Sequence, residues 1–584
     1  MTGTIAAAAV IAAIALPLAL AAGVAVARLR ATVLRLAPWA AVPAFALAVN
    51  GAPHALVHAD SLVFGMTLGV ADAVTRGFLV LTASVWLAAG VFGGTYMDRD
   101  PHRARFWGCF LASCSGNIGL VLAQDAVSFY LFFVLMTLAA YGLVAHTPTA
   151  EARRAGRVYL VMALIGEMLL FAALLMIVGA QIDLPLHDVP RAVAAARDRG
   201  VVVGLLLAGF GIKAGALVLH VWLPLAHPVA PTPASAVLSG SMINAGLLGW
   251  VRFLPLGIAA LPGPGLLCVA AGLTAAFYAV VVGLTQREPK TILAYSSVSQ
   301  MGFMTAALGA GLAAPPAAAP AVSAILFYAM HHALAKAALF LGVGVAGETG
   351  AVWPRRLVLL GLVWAALDLA GAPLSSGALA KVSLKSVMTL APWGSVPIGA
   401  LLSVGAVGST LVMARLLYRV RFRRDGTVPR RGLWSSWVLL LALDLLLFVR
   451  PPIDRETLEL LVRPANVLGA LWPVMTGAVA FVLVRHLGGK RPPIRASIPA
   501  GDLVVLFELA LGGLQRLFAA VVLGVARIAA RLQGWGAGVA SIDQRWGDLI
   551  RSSTLIERSL ARFEIIGLAL LLWVLLGVSL VWFR

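Results

Sequence analysis

Charge is what this sequence has least of. Only 12% of its 584 residues are charged, against about 25% in an ordinary soluble domain, which excludes a water-soluble globule. Strand-forming alternation is missing, and that excludes an outer-membrane barrel, whose strands read as short two-faced segments. Cysteine is nearly absent. Cys109, Cys114 and Cys268 are too scattered for a zinc or iron–sulfur site, and each falls in an apolar run where a thiol packs as a small hydrophobe. No phosphate-binding loop, metal-ligand cluster, nucleophile elbow or quinone-specific wording occurs. No cofactor or metal is therefore expected, and no redox chemistry from this chain alone.

What fills the sequence is hydrocarbon. Hydrophobic residues make up 61% of it and mean hydropathy is +0.96. Apolar runs of about 18 to 25 residues recur, each long enough to cross a core about 30 Å thick. The expected fold is an all-α polytopic membrane protein of about sixteen transmembrane helices, the first at 4–27 and the last at 562–583. The stretch Thr4 to Val26 lacks a charged leader and runs straight into more membrane, so it reads as a span and not a signal peptide. A net charge of +20 points to topology and not to nucleic acid. With the amino terminus outside, the inner connections carry about 24 Lys/Arg, among them Arg28, Arg153, Arg154, Lys290, Arg355 and the run from Arg415 to Arg431, against about 8 outside. This predicts a bacterial cytoplasmic membrane with both termini on the periplasmic side.

Lysine usage carries the chemistry. Only six of the 44 basic residues are lysine, and four of these, Lys213, Lys336, Lys381 and Lys385, lie inside apolar segments, where a cation costs about 2.5 to 3.5 kcal/mol on insertion scales. Arginine holds its charge permanently, whereas lysine can release a proton when desolvated. Proton handling is the reading for Lys213, Lys336 and Lys381; the bland alternative is a snorkelling or helix-end charge, which weighs equally for Lys385. Carboxylates at membrane depth are Glu167, Asp368, Asp444 and Asp125. Glu167 and Asp368 are the candidates for a proton path, while Asp444 and Asp125 lie near charged ends.

Two segments set lysine beside helix breakers. In "GFGIKAGALVLHVWLPLAHPVAPTP" prolines 224, 228, 231 and 233 follow Lys213, and in "LDLAGAPLSSGALAKVSLK" Gly371, Pro373 and Gly377 precede Lys381. Such breaks free backbone groups, which a membrane tolerates only where protein or water satisfies them. Matching interruptions in two halves mark an inverted-repeat transporter. Two five-span units, 106–254 and 255–420, would each carry the broken helix fourth. They are flanked by helices in 1–105 and 421–487, an amphipathic or lateral segment at 488–561, and an anchoring span at 562–584. His220 and His227 flank the first break and read either as relays near neutral pH or as satisfied core histidines.

Those two segments, with "TILAYSSVSQMGF" and "HHALAKAALFLGVG", resemble the antiporter-like subunits shared by respiratory complex I, energy-converting membrane-bound hydrogenases and Mrp-type cation/proton antiporters. The resemblance covers about residues 60–420. It implies two inverted five-helix repeats with broken helices and a midplane row of polar residues that conducts protons. By motif position, Lys213 matches the broken-helix lysine of the first half, His332 and Lys336 the His and Lys of the next conducting helix, and Lys381 the residue after the second break. Protons would enter by Lys213, pass Lys336 and His332, and leave near Lys381.

Two departures stand out. The usual glutamate in "LFFELMTL"-like wording is Val134, and the lysine usual in "GxMIKxG" is Asn244. Glu167, one span before Lys213, is the candidate substitute carboxylate. The implied partners are other membrane subunits, the lipid bilayer, and protons or sodium. A redox-driven complex is the leading expectation. An Mrp-type antiporter or inorganic-carbon uptake subunit is the first alternative, and a scaffold that has lost conduction the second.

Overall fold

In hydrocarbon every backbone amide and carbonyl must be bonded within the chain, and the apolar runs meet this demand as helices. The computed structural model describes residues 3–50, 56–59, 65–178, 184–391, 396–452, 458–459, 463–487 and 498–505. The expected lateral segment 488–561, apart from 498–505, and the expected anchor 562–584 lie outside these residues. The chain divides into two units, Met1–Ala500 and Gly501–Arg584; everything below concerns the first.

The order is α1 (Gly3–Ala25), α2 (Ala27–Leu36), α3 (Val42–Asn50), β1 (Leu56–Ala59), β2 (Met66–Gly69), α4 (Ala73–Tyr96), α5 (Arg103–Leu122), α6 (Ala126–Val144), α7 (Ala150–Val178) and α8 (Val189–Ala195). There follow α9 (Arg199–Ala214), α10 (Trp222–Val229), α11 (Thr232–Val237), α12 (Asn244–Phe253), α13 (Pro262–Thr285), α14 (Pro289–Ala313) and α15 (Pro315–Gly347). The rest are α16 (Val352–Ala370), α17 (Ser376–Met388), α18 (Ile398–Arg419), α19 (Arg431–Val449) and α20 (Pro464–Leu487). The sequence reading had no place for strands. The structure adds one antiparallel hairpin, with Leu56 opposite Gly69 and Ala59 opposite Met66. Four-residue strands are too short to leave a readable alternation.

Among the described residues twelve helical stretches are long and apolar enough to span a membrane. Three further expected spans fall on α5, α14 and the α16–α17 pair, which are more polar. Their polarity has a structural reason: Ser113, Ser115 and Asn117 of α5, and Ser296, Ser297, Ser299 and Gln300 of α14, are buried against other helices and not against lipid. The expected span 33–55 is also divided, because Pro38 and Pro43 separate α2 from α3.

Local chemistry sets the ends. Asp72 accepts from the Thr75 amide at 2.8 Å to start α4, and Asp125 from the Ser128 amide at 2.7 Å to start α6. Asp125 also accepts from the Thr67 amide of β2 at 2.9 Å, so this membrane-depth acid is a structural cap. Proline opens α13, α14 and α15. The central element is α15, which packs against α4, α11, α14, α16, α17 and α19. The α13–α14 pair is held by glycine. A Cβ on Gly272 would sit 2.4 Å from the Gly302 carbonyl oxygen, and one on Gly302 2.4 Å from that of Gly272; Gly265 and Gly309 repeat the relation at 2.6 and 2.5 Å. Such close backbone approach replaces the missing hydrophobic drive between helices in lipid.

At the mouth of α4, Asp72 takes a two-pronged pair from Arg252 at 2.5 and 2.6 Å, joining α4 to α12. Partial burial alone pushes the Asp72 carboxyl up. The Arg252 hydrogen bonds and charge, with the Thr75 amide, outweigh this and hold its pKa at about 2 against an ordinary 3.8. A lowered folded-state pKa contributes stability above the unfolded value and loses it as pH falls through the folded one. Thermal unfolding in detergent should therefore shed this contribution between about pH 4 and pH 2, and Arg252→Gln should remove that part of the pH dependence.

Candidate functional site

The first helix break follows Lys213. Helix α9 ends at Gly215, whose φ of 67° is left-handed, and Val218 also carries a positive φ, 73°. The second break copies this spacing: Gly371 ends α16 with φ 85°, and Leu374 has φ 59°. Left-handed backbone suits glycine and strains a branched side chain. Two breaks that each set a glycine and then, three residues on, a strained non-glycine share one backbone design.

Around the first break, Lys213 is 4% and Glu167 6% exposed. The Lys213 Nζ donates to the Tyr159 hydroxyl at 3.2 Å, which in turn donates to the Thr137 carbonyl at 2.9 Å. The ammonium also lies 5.5 Å from the Tyr159 ring centre and 5.7 Å from that of Trp222, where the aromatic faces favour a cation. Lys213, Tyr159, Trp222, Thr137 and Glu167 line a cavity of about 10 Å³, room for about one water. Neither carboxylate oxygen of Glu167 has a hydrogen-bond partner, and the Thr137 hydroxyl faces it without closing a bond. Glu167 and Lys213 are each other's electrostatic partners across this space. The structure thus brings together the lysine and the substitute carboxylate that the sequence singled out. Asn244 opens α12, donating to the Gly240 carbonyl at 2.9 Å beside a π-turn at Leu238–Met242.

Between the breaks runs α14. His220 packs its ring against Tyr278 and Tyr295 of the second half. The residue after Tyr295, Ser296, accepts from Lys336 Nζ, which also donates to the Leu293 carbonyl at 2.8 Å. Ser297 bonds Ser239 at 2.7 Å, tying the π-turn to the same helix. Lys336 and His332 are fully buried, and neither His332 ring nitrogen has a hydrogen-bond partner. His227 stacks on Phe340 at 4.6 Å and faces Lys336 and Lys290 electrostatically. Lys290 was read as a charge of an inner connection. It instead reaches into the protein, donating to the Ala230 carbonyl at the end of α10 at 2.7 Å.

At the second break Lys381 folds back onto the carbonyls of Leu369 and Ala370, the groups that the interrupted helix leaves free. Asp368 accepts from the Gly377 amide at 2.9 Å and from the Ser376 hydroxyl at 3.0 Å, capping α17 from across the break. Motif position favoured His332, yet it is His331 that meets the acid, with Nδ1 3.0 Å from Asp368 Oδ2. Asp444, placed by the sequence reading near a charged end, is 1% exposed and joins this group. Position along a helix misjudged its depth because α19 packs inward on α15 and α4. Beyond Lys381, Lys385 donates to Ser403 at 2.5 Å, and both lysines line a cavity of about 380 Å³ between α17, α18 and α20. The arrangement is an acid and a lysine at each break, with Lys336 and hydroxyl-bearing α14 between them.

Residues 123–405 match the family model described as NADH:quinone oxidoreductase/Mrp antiporter, TM. An uncharacterised protein of Mycobacterium tuberculosis is 34% identical over 355 residues, 57% of this chain and 54% of that protein. Hydrogenase-4 component B of Escherichia coli is 30% identical over 281 residues, 46% and 41% of the two chains. The chain spans about half the length of these curated relatives. A chain in the structure of the Mrp complex from Dietzia sp. superposes with a TM-score of 0.68 at 21% identity, over 92% of this chain and 63% of that one, a likeness of fold.

Proposed function

Because residues 123–405 match the family model described as NADH:quinone oxidoreductase/Mrp antiporter, TM, we propose that this antiporter-like chain moves protons within a larger membrane complex. The observation that carries the reading is the repeated pairing of a buried acid with a lysine at two breaks of like backbone, Glu167 with Lys213 and Asp368 with Lys381. Each pair can hold one proton in either of two places, and moving it between them needs no net charge in low dielectric. Lys336, bonded to α14, takes the proton between the pairs, with His220, His227 and His332 beside the route. Lys385 and its cavity give the exit.

We further read 106–254 and 255–420 as inverted repeats, supported by the matched fourth-helix breaks. The inner, cytoplasmic side is that of the arginine-rich connections from Arg28 to Arg35 and from Arg415 to Arg431. A redox-driven host complex is favoured by the likeness to a hydrogenase-4 component. The family description equally names Mrp antiporters, and the subunits that copurify with the chain discriminate the two. Proton flux into vesicles holding the purified complex tests the core claim. Lys213→Ala and Lys381→Ala should each lower it about tenfold or more, and unchanged flux in both would sink it.

A further inference from the structure

One cluster is only half absorbed by that reading. Asp444 belongs to α19, outside the matched residues 123–405. Its Oδ2 accepts from Trp364 Nε1 at 3.2 Å, which leaves Oδ1 buried and without a hydrogen-bond partner. The groups facing it are Asp368 and Ser376. Ligating atoms of Asp444, Asp368 and His331 all lie within 4.8 Å of one another, and all three residues are buried. Two ionised carboxylates cannot share so dry a space, since each only accepts hydrogen bonds and they repel. A hydrogen on one of them supplies the missing donor and removes the repulsion together.

We propose that Asp444 and Asp368 share a single proton, and that this pair is the proton store of the second break. The inference rests on the transport reading above. Charge bookkeeping supports it: the cluster with Lys381, which interacts with Asp368, contains two acids and two bases. With one proton on the acid pair, neutral His331 and charged Lys381, the net charge is zero. Moving that proton between Asp368 and Asp444, whose carboxylate oxygens lie within 4.8 Å of each other, breaks one O–H bond, forms another and leaves the sum at zero. Tyr328 and His332 of α15 and Lys385 of α17 are further ionisable groups that act on this cluster. The store therefore takes its second acid from a helix that the family match does not reach.

Infrared difference spectroscopy on the purified complex at neutral pH reads the store directly. Wild type should show the C=O stretch of a protonated carboxylic acid that shifts in D2O, and Asp444→Asn should lose it. Flux in vesicles should fall about tenfold in Asp444→Asn, whereas Trp364→Phe, which keeps both acids, should retain the band. A band of undiminished intensity in Asp444→Asn overturns the proposal. So does a stoichiometric divalent metal found by elemental analysis in wild type and lost in the variant, because the ion would then fill the proton's place. If Lys213→Ala and Lys381→Ala leave flux intact while the band still depends on Asp444, the transport reading fails and the shared proton stands.

Discussion

Glu167→Gln should cut proton flux as deeply as Lys213→Ala, about tenfold or more. Glutamine keeps the volume of the side chain and its bonding capacity toward Thr137, so the packing of α7 survives and only the titratable proton is lost. The argument is geometric. Glu167 is the acid lining the cavity at Lys213, its two oxygens lack hydrogen-bond donors, and the cavity admits one bridging water. Where the resemblance to antiporter-like subunits implies a glutamate in the preceding helix, this chain has half-buried Val134. If acid and lysine act as one unit, the double variant should lose no more than either single one, because removing either partner already empties the pair. Full flux in Glu167→Gln would mean that the first half works without an acid, or does not conduct.

The second large effect is structural. Gly302→Ala should lower the thermal transition of the detergent-solubilised protein by several degrees, and Gly302→Val should leave little folded protein. The new Cβ would meet the Gly272 carbonyl oxygen at 2.4 Å, and a backbone oxygen cannot turn aside as a side chain can. Relief requires α13 and α14 to separate, which also loosens the Gly265–Gly309 contact one register along. Overpacking of this kind costs about 1–3 kcal/mol or more. Gly399→Ala, on α18 with nothing within 4 Å of the added carbon, is the matched control and should be silent.

The helices, both breaks and the main lysines were legible in the sequence for a plain reason. Length and apolarity report the solvent, and a lysine written into an arginine-rich, apolar chain is conspicuous. Glu167 was found by depth alone, and its place beside Lys213 follows from α7 packing on α9. Asp444 ranks low and His331 yields to His332 in the sequence because their meeting depends on how α15, α16 and α19 cross, and no local pattern encodes a contact between positions 331 and 444. Lys290 was misjudged because a lysine just inside a helix start reads like any flanking charge; only the fold aims it at Ala230. The glycine face of α13–α14 was equally silent, since glycines seven residues apart signify nothing until the facing helix is known.

Helix α14 has a consequence for how the protein is made. Its length is that of a membrane span, but the serines and Gln300 along it leave it less apolar than the twelve stretches with the length and composition of spans. An insertion machine that weighs segments one at a time would release it back to water. Its glycines mate with those of α13, the segment synthesised immediately before it, across a connection of only Gln286, Arg287 and Glu288. Entry of the two helices as one hairpin is the expected route, and a lesion on the α13 face should then strand α14 at the translocon before any transport defect can be measured.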